Sequence, residues 1–433
     1  MSFALHGIKV PHRKHTQGKK ALKMPAPKKV TIPMSMHIGA PAKPVVAVGD
    51  VVKIGTKIAE SAAGLSSPIY SGVSGKVSKI TDFVLSNGSK VPAIIIESDE
   101  EMYVDETLCA PHVDSKESLI SALKESGVVG LGGAGFPTYA KFDVDVERIE
   151  TLIINGAECE PYITSDSLTM TERTDDIAYA ICILKEYLGI KRIIIGIESN
   201  KKSAIASMKA LEDIEVKVLP SIYPQGGEKV LIYHTTGKKV PVGKLPIDVG
   251  CIVINCTTLA AIGEYFKTGM PLVEKCITVD GGAVNNPQNI IVPIGTPISD
   301  VIEFCGGLKK DPAKVIYGGP MMGITVPDMN APVLKNTNAI LALTEKEAKL
   351  PKTTACIRCG SCTNVCPFGL VPAAIAGAYK NKNAERLSEL TVNACMECGC
   401  CSFVCPANRP LVQTNKLSKA FLREEMAKKG DKA

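Results

Sequence analysis

Two cysteine arrays near the C-terminal end constrain this chain more than any other feature of its sequence. Each array has the spacing C-x2-C-x2-C-x3-C and is followed by a proline. The first runs from Cys356 to Cys366 and the second from Cys395 to Cys405. Three thiolates at this spacing can surround one cuboidal cluster, so the arrays predict two [4Fe–4S] clusters.

The fourth cysteine of such an array ligates the other cluster, which divides the eight thiols into two sets. The first set is Cys356, Cys359, Cys362 and Cys405. The second set is Cys395, Cys398, Cys401 and Cys366. Zinc is the competing interpretation, but paired C-x2-C knuckles with four ligands in total fit two complete arrays poorly. Cys400 is an additional thiol in the second array, and is either a bystander or a substitute ligand.

Composition restricts the remaining possibilities. The chain has 433 residues, of which 16 are cysteines and 45% are hydrophobic, which is typical of about three folded domains. A net charge of +6 is too small to indicate nucleic-acid binding. We expect no membrane span, because no run of about 20 apolar residues is present. We also expect no secretory signal, and the cysteines therefore predict a reducing compartment and metal ligation rather than disulfides.

The positive charge is concentrated at the N-terminus. Residues 1–30 contain eight Lys or Arg and no acidic residue. We interpret this basic segment as a flexible or surface-lying arm. The functional alternative is docking onto an acidic partner or an anionic lipid surface.

Residues 31–105 contain short runs of Val and Ile divided by glycine turns, which predicts a β-rich barrel or sandwich. The run VGDVVKIGTKIAE, beginning at Val48, resembles the biotinyl/lipoyl carrier fold. Carriers of that kind present a modified lysine in the turn between their halves. Residues 62–67 contain no lysine, so we expect a scaffold or docking role instead.

The pattern changes along the rest of the chain, and the fold class predicted is multidomain α/β. Residues 110–265 alternate strands with helices, as in a Rossmann-like parallel sheet. Residues 266–345 return to short strands with one helix, as in a β-grasp module. Residues 350–415 contain the arrays, in a ferredoxin-like α-helical domain, and residues 416–433 form a charged helical tail.

Four polar or glycine-rich segments follow elements of the predicted parallel sheet. They are GLGGAGFPT at 130–138, NGAECEP at 155–161, YPQGGEK at 223–229 and INCTTL at 254–259. The carboxyl ends of parallel strands meet at one edge, so these segments predict a single crevice for a phosphate or a flat cofactor. Lys141 follows at a suitable distance to bind phosphate. A mobile surface loop is the alternative interpretation of residues 130–138.

These four motifs resemble the flavin- and NADH-binding subunit of respiratory complex I and its relatives. The two cysteine arrays, the carrier-like domain and GGPMMG at 318–323 make the chain most similar to the C subunits of Rnf complexes. Those complexes are membrane-bound, ion-translocating ferredoxin:NAD⁺ oxidoreductases. The resemblance extends from about residue 30 to residue 410, and implies an SLBB-like β-grasp domain.

The resemblance also implies roles for individual residues. The FMN would be lined by Gly130, Gly132, Gly133, Ala134, Gly135 and Phe136. Lys141 would pair with phosphate, and Asn155 and Glu158 would hydrogen-bond the flavin. The nicotinamide nucleotide would face Glu160 and Glu228. The flavin edge would be approached by Tyr223, Gly226 and Gly227, and the phosphate end held by Asn255 and Thr258. Ala157 departs from the flavin subunits of complex I, which have an acidic residue there.

The function implied is electron transfer between NAD(H), FMN and two [4Fe–4S] clusters, without an acid–base group or a nucleophile. The implied partners are the other subunits of the membrane complex, with ferredoxin reached only through them, and the implied location is the cytoplasmic face of the cell membrane. One alternative is a soluble flavin and iron–sulfur reductase, such as the cobalamin reductase of bacterial microcompartments. The other is an electron relay or assembly scaffold with an empty crevice.

Overall fold

The computed structural model describes residues 7–430, so the ends of the predicted arm and tail, residues 1–6 and 431–433, lie outside the described residues. Within the described range no helix has the length and apolar character needed to cross a membrane. Four domains are present in the predicted order, and a segment at the N-terminus packs against the second and the third.

The N-terminal domain is built from short strands. After β1 (Leu22–Lys23), which pairs outside this domain, they are β2 (Lys29–Pro33), β3 (Lys43–Pro44), β4 (Val51–Val52), β5 (Lys57–Glu60), β6 (Ile69–Tyr70), β7 (Gly75–Val84) and β8 (Lys90–Ser98). One sheet has the order β2-β8-β7-β4 and a second the order β3-β5-β6. Buried residues of both sheets, such as Val30, Ile58 and Ile94, join one apolar core.

The second domain contains the parallel sheet and its helices. Before the sheet lie α1 (Lys116–Glu125) and α2 (Tyr139–Phe142). The sheet and its connections are β9 (Thr151–Gly156), α3 (Ser165–Glu172), α4 (Thr174–Leu188), β10 (Arg192–Glu198), α5 (Lys202–Lys209), β11 (Glu215–Leu219), α6 (Glu228–Thr236), β12 (Cys251–Asn255) and α7 (Cys256–Thr268). The strand order is β11-β10-β9-β12, and every pair is parallel. The central strands are almost entirely apolar and buried, as a sheet covered by helices on both faces requires.

The third domain is the β-grasp module. Its elements are β13 (Glu274–Asp280), β14 (Gln288–Pro293), α8 (Ile298–Phe304), β15 (Lys314–Tyr317), β16 (Ile324–Val326), β17 (Ala339–Leu343) and α9 (Glu345–Ala348). The six-stranded sheet has the order β1-β14-β13-β17-β15-β16. Its first strand, β1, therefore comes from the N-terminal segment and pairs parallel with β14.

We call residues 7–24 the N-terminal strap. Ile8 forms a backbone bridge with Tyr223, and the carbonyl oxygen of His12 accepts a hydrogen bond from Tyr162 N at 2.8 Å. β1 then completes the β-grasp sheet. Of the two alternatives for the arm over residues 1–30, flexible or surface-lying, the flexible one is therefore corrected for the described part, because backbone hydrogen bonds fix this segment against two domains.

The cysteine arrays lie in a small helical domain. It contains α10 (Ser361–Asn364), α11 (Pro372–Lys380), α12 (Ala384–Glu389), α13 (Cys400–Phe403) and α14 (Leu411–Gly430). α14 is continuous across residue 416, where the sequence predicts the start of a tail. The structure has no boundary there, because Leu422 of α14 is buried against the rest of this domain.

The two arrays adopt the same local conformation. Arg358 and Gly360 of the first array have positive φ, and so do Glu397 and Gly399 of the second. A short helix follows each glycine, and each fourth cysteine then donates its backbone N–H to the residue three positions before it. This repetition matches the repetition of the cysteine spacing, and it curls each backbone around its thiols.

The β-grasp domain is joined to the other two by a buried lysine. The Lys335 Nζ donates to Pro68 O at 2.6 Å and to Gly127 O at 2.7 Å. These acceptors belong to the barrel domain and to the segment before the glycine-rich loop. Burial lowers the pKa of Lys335 to about 7. The loop therefore begins at a point where three domains are in contact.

Candidate functional site

The structure brings the four predicted segments to one edge of the parallel sheet. Asn155 and Asn255 are register neighbours at the carboxyl ends of β9 and β12. The Asn155 side chain donates to Gly226 O at 2.9 Å, which ties in the segment before α6. A Cβ on Gly132 would lie 3.0 Å from the Asn255 amide nitrogen, so the glycine-rich loop passes close over the same edge.

Three domains hold the glycine-rich loop in place. The hydroxyl of Thr258 accepts from Leu131 N at 2.9 Å, and the Lys275 ammonium donates to Leu131 O at 2.7 Å. The Asn336 amide donates to Gly133 O at 2.8 Å, and Ile38 N donates to Gly135 O at 2.9 Å. The alternative of a mobile surface loop therefore does not describe this segment.

The hydrogen bonds to the loop carbonyls leave the backbone N–H groups in the middle of the loop available to a ligand. Gly132, Gly133 and Ala134 are exposed, and their backbone N–H groups donate no hydrogen bond within residues 7–430. Successive free N–H groups in a glycine-rich turn bind anions. These groups fit the phosphate of a flavin nucleotide. Phe136 is half-buried at the end of the same loop.

Several of the predicted phosphate-end residues also have structural roles. The Lys141 Nζ donates to Val253 O at 2.7 Å and lies 3.4 Å from the Glu228 carboxylate. The Asn255 side chain caps α7 by accepting from the backbone of Thr257 and Thr258, at 3.0 and 3.1 Å. These contacts orient the groups around the crevice. Gly130 closes the loop by donating to Phe136 O at 2.8 Å.

Two carboxylates of the NGAECEP segment accept hydrogen bonds from the backbone, and Glu158 is buried whereas Glu160 is half-buried. The Glu158 carboxylate accepts from Asp166 N at 2.7 Å, while its Oε2 has no hydrogen-bond partner among the described residues. Glu160 accepts from Met321 N and Met322 N of the β-grasp domain, at 3.1 and 2.9 Å. Burial raises the pKa of each carboxyl to about 7. Both oxygens of Glu160 are therefore engaged by the protein, and its predicted contact with the nucleotide stays a prediction.

Three further charged groups surround this segment, and sequence reasoning missed all of them. The Lys201 ammonium is buried, pairs with Glu198 at 2.6 Å and donates to Glu158 O at 3.0 Å. Lys14 of the strap is also buried and contacts the same segment. Neither lysine has a sequence signal, because Lys14 lies in a run of basic residues and Lys201 lies in a polar turn before α5.

Tyr223 connects the crevice to the second cysteine array. Its hydroxyl donates to Cys398 O at 2.7 Å, and burial raises its pKa well above the ordinary range. A Cβ on Gly227 would lie 2.3 Å from the methyl carbon of Met396, and one on Gly226 would lie 2.4 Å from Ala157 O. Both glycines thus permit close packing, and the second array borders the crevice directly.

The thiols of the second predicted set lie close together. Cys366, Cys395, Cys398 and Cys401 influence one another electrostatically and line one cavity with mainly apolar neighbours. The Cys400 thiol also lines this cavity and lies 3.9 Å from Tyr223 O. The donor set and its apolar shell fit a [4Fe–4S] cluster, with Cys366 supplied by the first array.

The first predicted set is more exposed. Cys362 and Cys405 pack in one apolar cluster, and Cys356 and Cys359 are exposed. The segment before Cys356 pairs with the segment after Cys405, since Thr354 N donates to Ala407 O at 3.0 Å. This pairing fits Cys405 as the fourth ligand of the first cluster. Within residues 7–430, no three His, Cys, Asp or Glu side chains converge tightly enough to hold a single metal ion.

Four family models match the chain, in the order of the four domains. They are the RnfC barrel sandwich hybrid domain over residues 3–101, the Nuo51 FMN-binding domain over 123–264, the SLBB domain over 276–325 and the 4Fe-4S dicluster domain over 352–416. The predicted fold class, FMN and the two clusters are thereby confirmed.

Curated relatives match most of the chain. The C subunit of the proton-translocating ferredoxin:NAD(+) oxidoreductase complex of Clostridium ljungdahlii is 42% identical over 84% of this chain and 81% of its own length. This chain belongs to the RnfC family, the C subunits of Rnf complexes. The Na(+)-translocating counterpart of Acetobacterium woodii is 40% identical over 87% of both chains. The C subunit of the ion-translocating oxidoreductase complex of Rhodobacter capsulatus is 40% identical over 99% of this chain and 85% of its own length.

Membership of the RnfC family confirms the resemblance inferred from the motifs. It also disfavours the alternative of a soluble cobalamin reductase, because the relatives are named as parts of larger complexes. The Nuo51 FMN-binding domain carries the relation to complex I.

Proposed function

We propose that this chain is the NAD(H)-side subunit of a complex that couples electron transfer between ferredoxin and NAD⁺ to ion translocation. The observation that carries the proposal is the border between the crevice and the second cysteine array, where Tyr223 contacts Cys398. A flavin in the crevice then has an electron partner within the same chain. Electrons pass between NAD(H), FMN and the two clusters.

The chemistry requires a converter between two kinds of electron transfer. NAD(H) exchanges two electrons as a hydride, whereas an iron–sulfur cluster exchanges one electron at a time. FMN, when bound, supplies the conversion between the two. The residues of the chain bind and orient the two nucleotides, exclude water and keep a cluster close. We expect no side chain to act as an acid, a base or a nucleophile.

The proposed flavin site follows from the crevice geometry. The N–H groups of residues 132–134 bind the phosphate, with Lys141 as the nearby cation. Glu160 and Tyr223 form the side of the crevice that faces the second array, Glu158 lies in the same segment as Glu160, and Glu228 borders the nucleotide entrance. The remaining cradle residues are Gly130, Gly135, Phe136, Asn155, Gly226, Gly227, Asn255 and Thr258.

The two clusters have different exposures, which suggests an order. Cys398 and Cys401 of the second set are buried beside the crevice, whereas Cys356 and Cys359 of the first set are exposed. The second cluster is therefore the partner of the flavin. The first cluster exchanges electrons with another protein, and Ile357, 67% exposed between its ligands, belongs to that contact surface.

We also propose that the partners are the membrane subunits of the complex, and that the chain lies peripherally on the cytoplasmic face of the cell membrane. The support is the complex named for each relative. Two relatives of nearly equal identity are named for different ions, H⁺ and Na⁺. That is expected of a subunit that handles electrons while other subunits move the ion. Ferredoxin then exchanges electrons with this chain only through those subunits.

Anaerobic reconstitution with FMN, iron and sulfide tests the proposal. We expect about one FMN and about eight irons per chain, since each [4Fe–4S] cluster contains four. NADH should bleach the flavin absorbance and produce the electron paramagnetic resonance signal of a reduced cluster. If the chain reached its full iron content but neither bound flavin nor responded to NADH, the proposal would be wrong. The chain would then be an electron relay supplied by another subunit.

A further inference from the structure

One basic residue of the N-terminal strap is buried, unlike its neighbours. The side chain of Lys14 is 5% exposed, whereas that of Arg13 is 48% exposed. Its ammonium group donates to Glu158 O and Glu160 O, both at 3.1 Å, and to Ile163 O. All three carbonyls belong to the segment that leaves the carboxyl end of β9. A distant part of the chain thus holds one wall of the crevice.

The ammonium group of Lys14 also forms an ion pair with the buried carboxylate of Glu158. The Glu158 Oε2 lies 3.8 Å from Lys14 Nζ and has no hydrogen-bond partner among the described residues. Lys201 also lies near Glu158, but Glu198 pairs with it at 2.6 Å. Asp166 adds a negative charge nearby. Lys14 is therefore the countercharge that Glu158 requires, because an unpaired buried charge is costly.

Neighbouring contacts fix the position of Lys14. His15 Nδ1 lies 2.9 Å from Asp280 Oδ1, and Thr16 Oγ1 lies 2.5 Å from Thr164 Oγ1. Together with the bond from Tyr162 N to His12 O, these contacts hold the strap in one register. Because the strap is fixed in this register, the Lys14 side chain starts from a position that places its ammonium group at the NGAECEP segment.

We propose that Lys14 is a positioning residue of the flavin site, which holds residues 158–163 in place and favours the ionised form of the Glu158 carboxylate beside the crevice. The inference rests on the proposed FMN site. Burial and Asp166 raise the pKa of Glu158, while Lys14 and Lys201 lower it. Loss of Lys14 therefore moves the protonation of Glu158 to higher pH, and any property of the site that depends on this charge moves with it.

The test compares Lys14→Met with Lys19→Met in the full chain loaded with clusters. Lys19 is a matched control, because it is an exposed lysine of the same strap and donates to Pro287 O at 2.7 Å. Each protein is titrated with FMN by fluorescence quenching between about pH 6 and pH 8.5, a range that brackets the Glu158 pKa. Glu158→Gln and the double variant Lys14→Met/Glu158→Gln complete a cycle.

We expect Lys14→Met to weaken FMN binding by about tenfold or more and Lys19→Met by less than about twofold. The pH dependence of FMN affinity should shift upward in Lys14→Met, and the part of it that Glu158 contributes should be absent from both Glu158→Gln proteins. The two substitutions should be non-additive. Equal effects of Lys14→Met and Lys19→Met, an unchanged pH profile or simple additivity would overturn the inference.

Two further outcomes are informative. If Lys14→Met does not fold, the double variant should fold, because removing both charges costs less than leaving one unpaired. If both variants fail to fold to the same degree, Lys14 acts only through its hydrogen bonds to backbone carbonyls. Its proposed role toward Glu158 would then be overturned. If the unaltered chain binds no FMN, the proposed function fails. The Lys14–Glu158 coupling can still be measured in that case, by thermal unfolding of the same four proteins without FMN.

Discussion

The hydroxyl of Tyr223 donates a 2.7 Å hydrogen bond to the carbonyl oxygen of Cys398, a residue 175 positions further along the chain. The ring packs with Ile8 of the strap and with the thiols of Cys398 and Cys400. Its backbone continues into the two glycines that border the crevice. One side chain thus links the flavin domain to a proposed ligand of the second cluster.

Replacement of this tyrosine tests the link. Tyr223→Phe keeps the ring but leaves the Cys398 carbonyl without its donor, so we expect a loss of about 1 kcal/mol in the free energy of unfolding. Stopped-flow absorbance should show unchanged flavin bleaching by NADH and severalfold slower cluster reduction. Tyr179→Phe, at a tyrosine 39% exposed on α4, is the control. Equal slowing of both phases would mean that Tyr223 supports the flavin pocket rather than the contact with the cluster.

Two glycines with different surroundings test the close packing at the crevice. A Cβ at Gly226 would lie 2.4 Å from the backbone oxygen of Ala157, which cannot move without the NGAECEP segment. We expect Gly226→Ala to cost about 1–3 kcal/mol and to lower FMN retention on gel filtration. Gly377 in α11 has no atom within 4 Å of its Cβ position, so Gly377→Ala should instead stabilise by about 0.5–1 kcal/mol. An FMN content unchanged by Gly226→Ala would contradict the predicted close fit.

Local sequence patterns predicted much of this structure. The run Glu215–Leu219 alternates polar and apolar residues between turns, a pattern that predicts a strand without reference to the rest of the chain, and β11 has those bounds. The cysteine spacing likewise carries its own geometry. The four crevice segments were found because parallel strands bring their carboxyl ends together, a general property of such sheets.

Contacts between distant segments were outside the reach of those patterns. Glu160 accepts hydrogen bonds from Met321 and Met322, more than 160 residues away, and nothing in the NGAECEP motif predicts these two partners. Lys14 resembled every other lysine of the basic segment, and only the tertiary structure buries it. β1 pairs with β14 although neither its length nor its composition predicts a strand. Such placements depend on how domains dock, which periodicity does not describe.

The partly buried carboxyl of Glu160 predicts a pH dependence of stability. Its pKa is about 7 in the folded protein, raised by burial from 4.5, so the folded state holds the proton more tightly than the unfolded state does. Its contribution to stability is therefore fully present below pH 4.5 and is lost as pH rises through about 7. The slope approaches about 1.4 kcal/mol per pH unit within that window.

Differential scanning calorimetry between about pH 5 and pH 8 measures this contribution. Glu160→Gln should remove part of the decrease in melting temperature with rising pH, while it lowers the melting temperature overall by disturbing the contacts with Met321 and Met322. Glu106→Gln is the control, at a carboxyl 77% exposed beside Lys53. A Glu160→Gln profile parallel to that of the unaltered chain would contradict a raised pKa for this group.

Replacing the fourth cysteine of either array is predicted to remove the cluster of the other array. If each ligates the cluster of the other array, Cys405→Ala removes the exposed cluster and Cys366→Ala removes the cluster beside the crevice. Each variant should retain about four irons per chain. NADH should still reduce the remaining cluster of Cys405→Ala, because that cluster borders Tyr223, whereas the remaining cluster of Cys366→Ala should stay oxidised over the same time. Cys182→Ala, an exposed cysteine on α4, should behave as the unaltered chain does. NADH reduction of the residual cluster in Cys366→Ala but not in Cys405→Ala would reverse the proposed order of electron transfer.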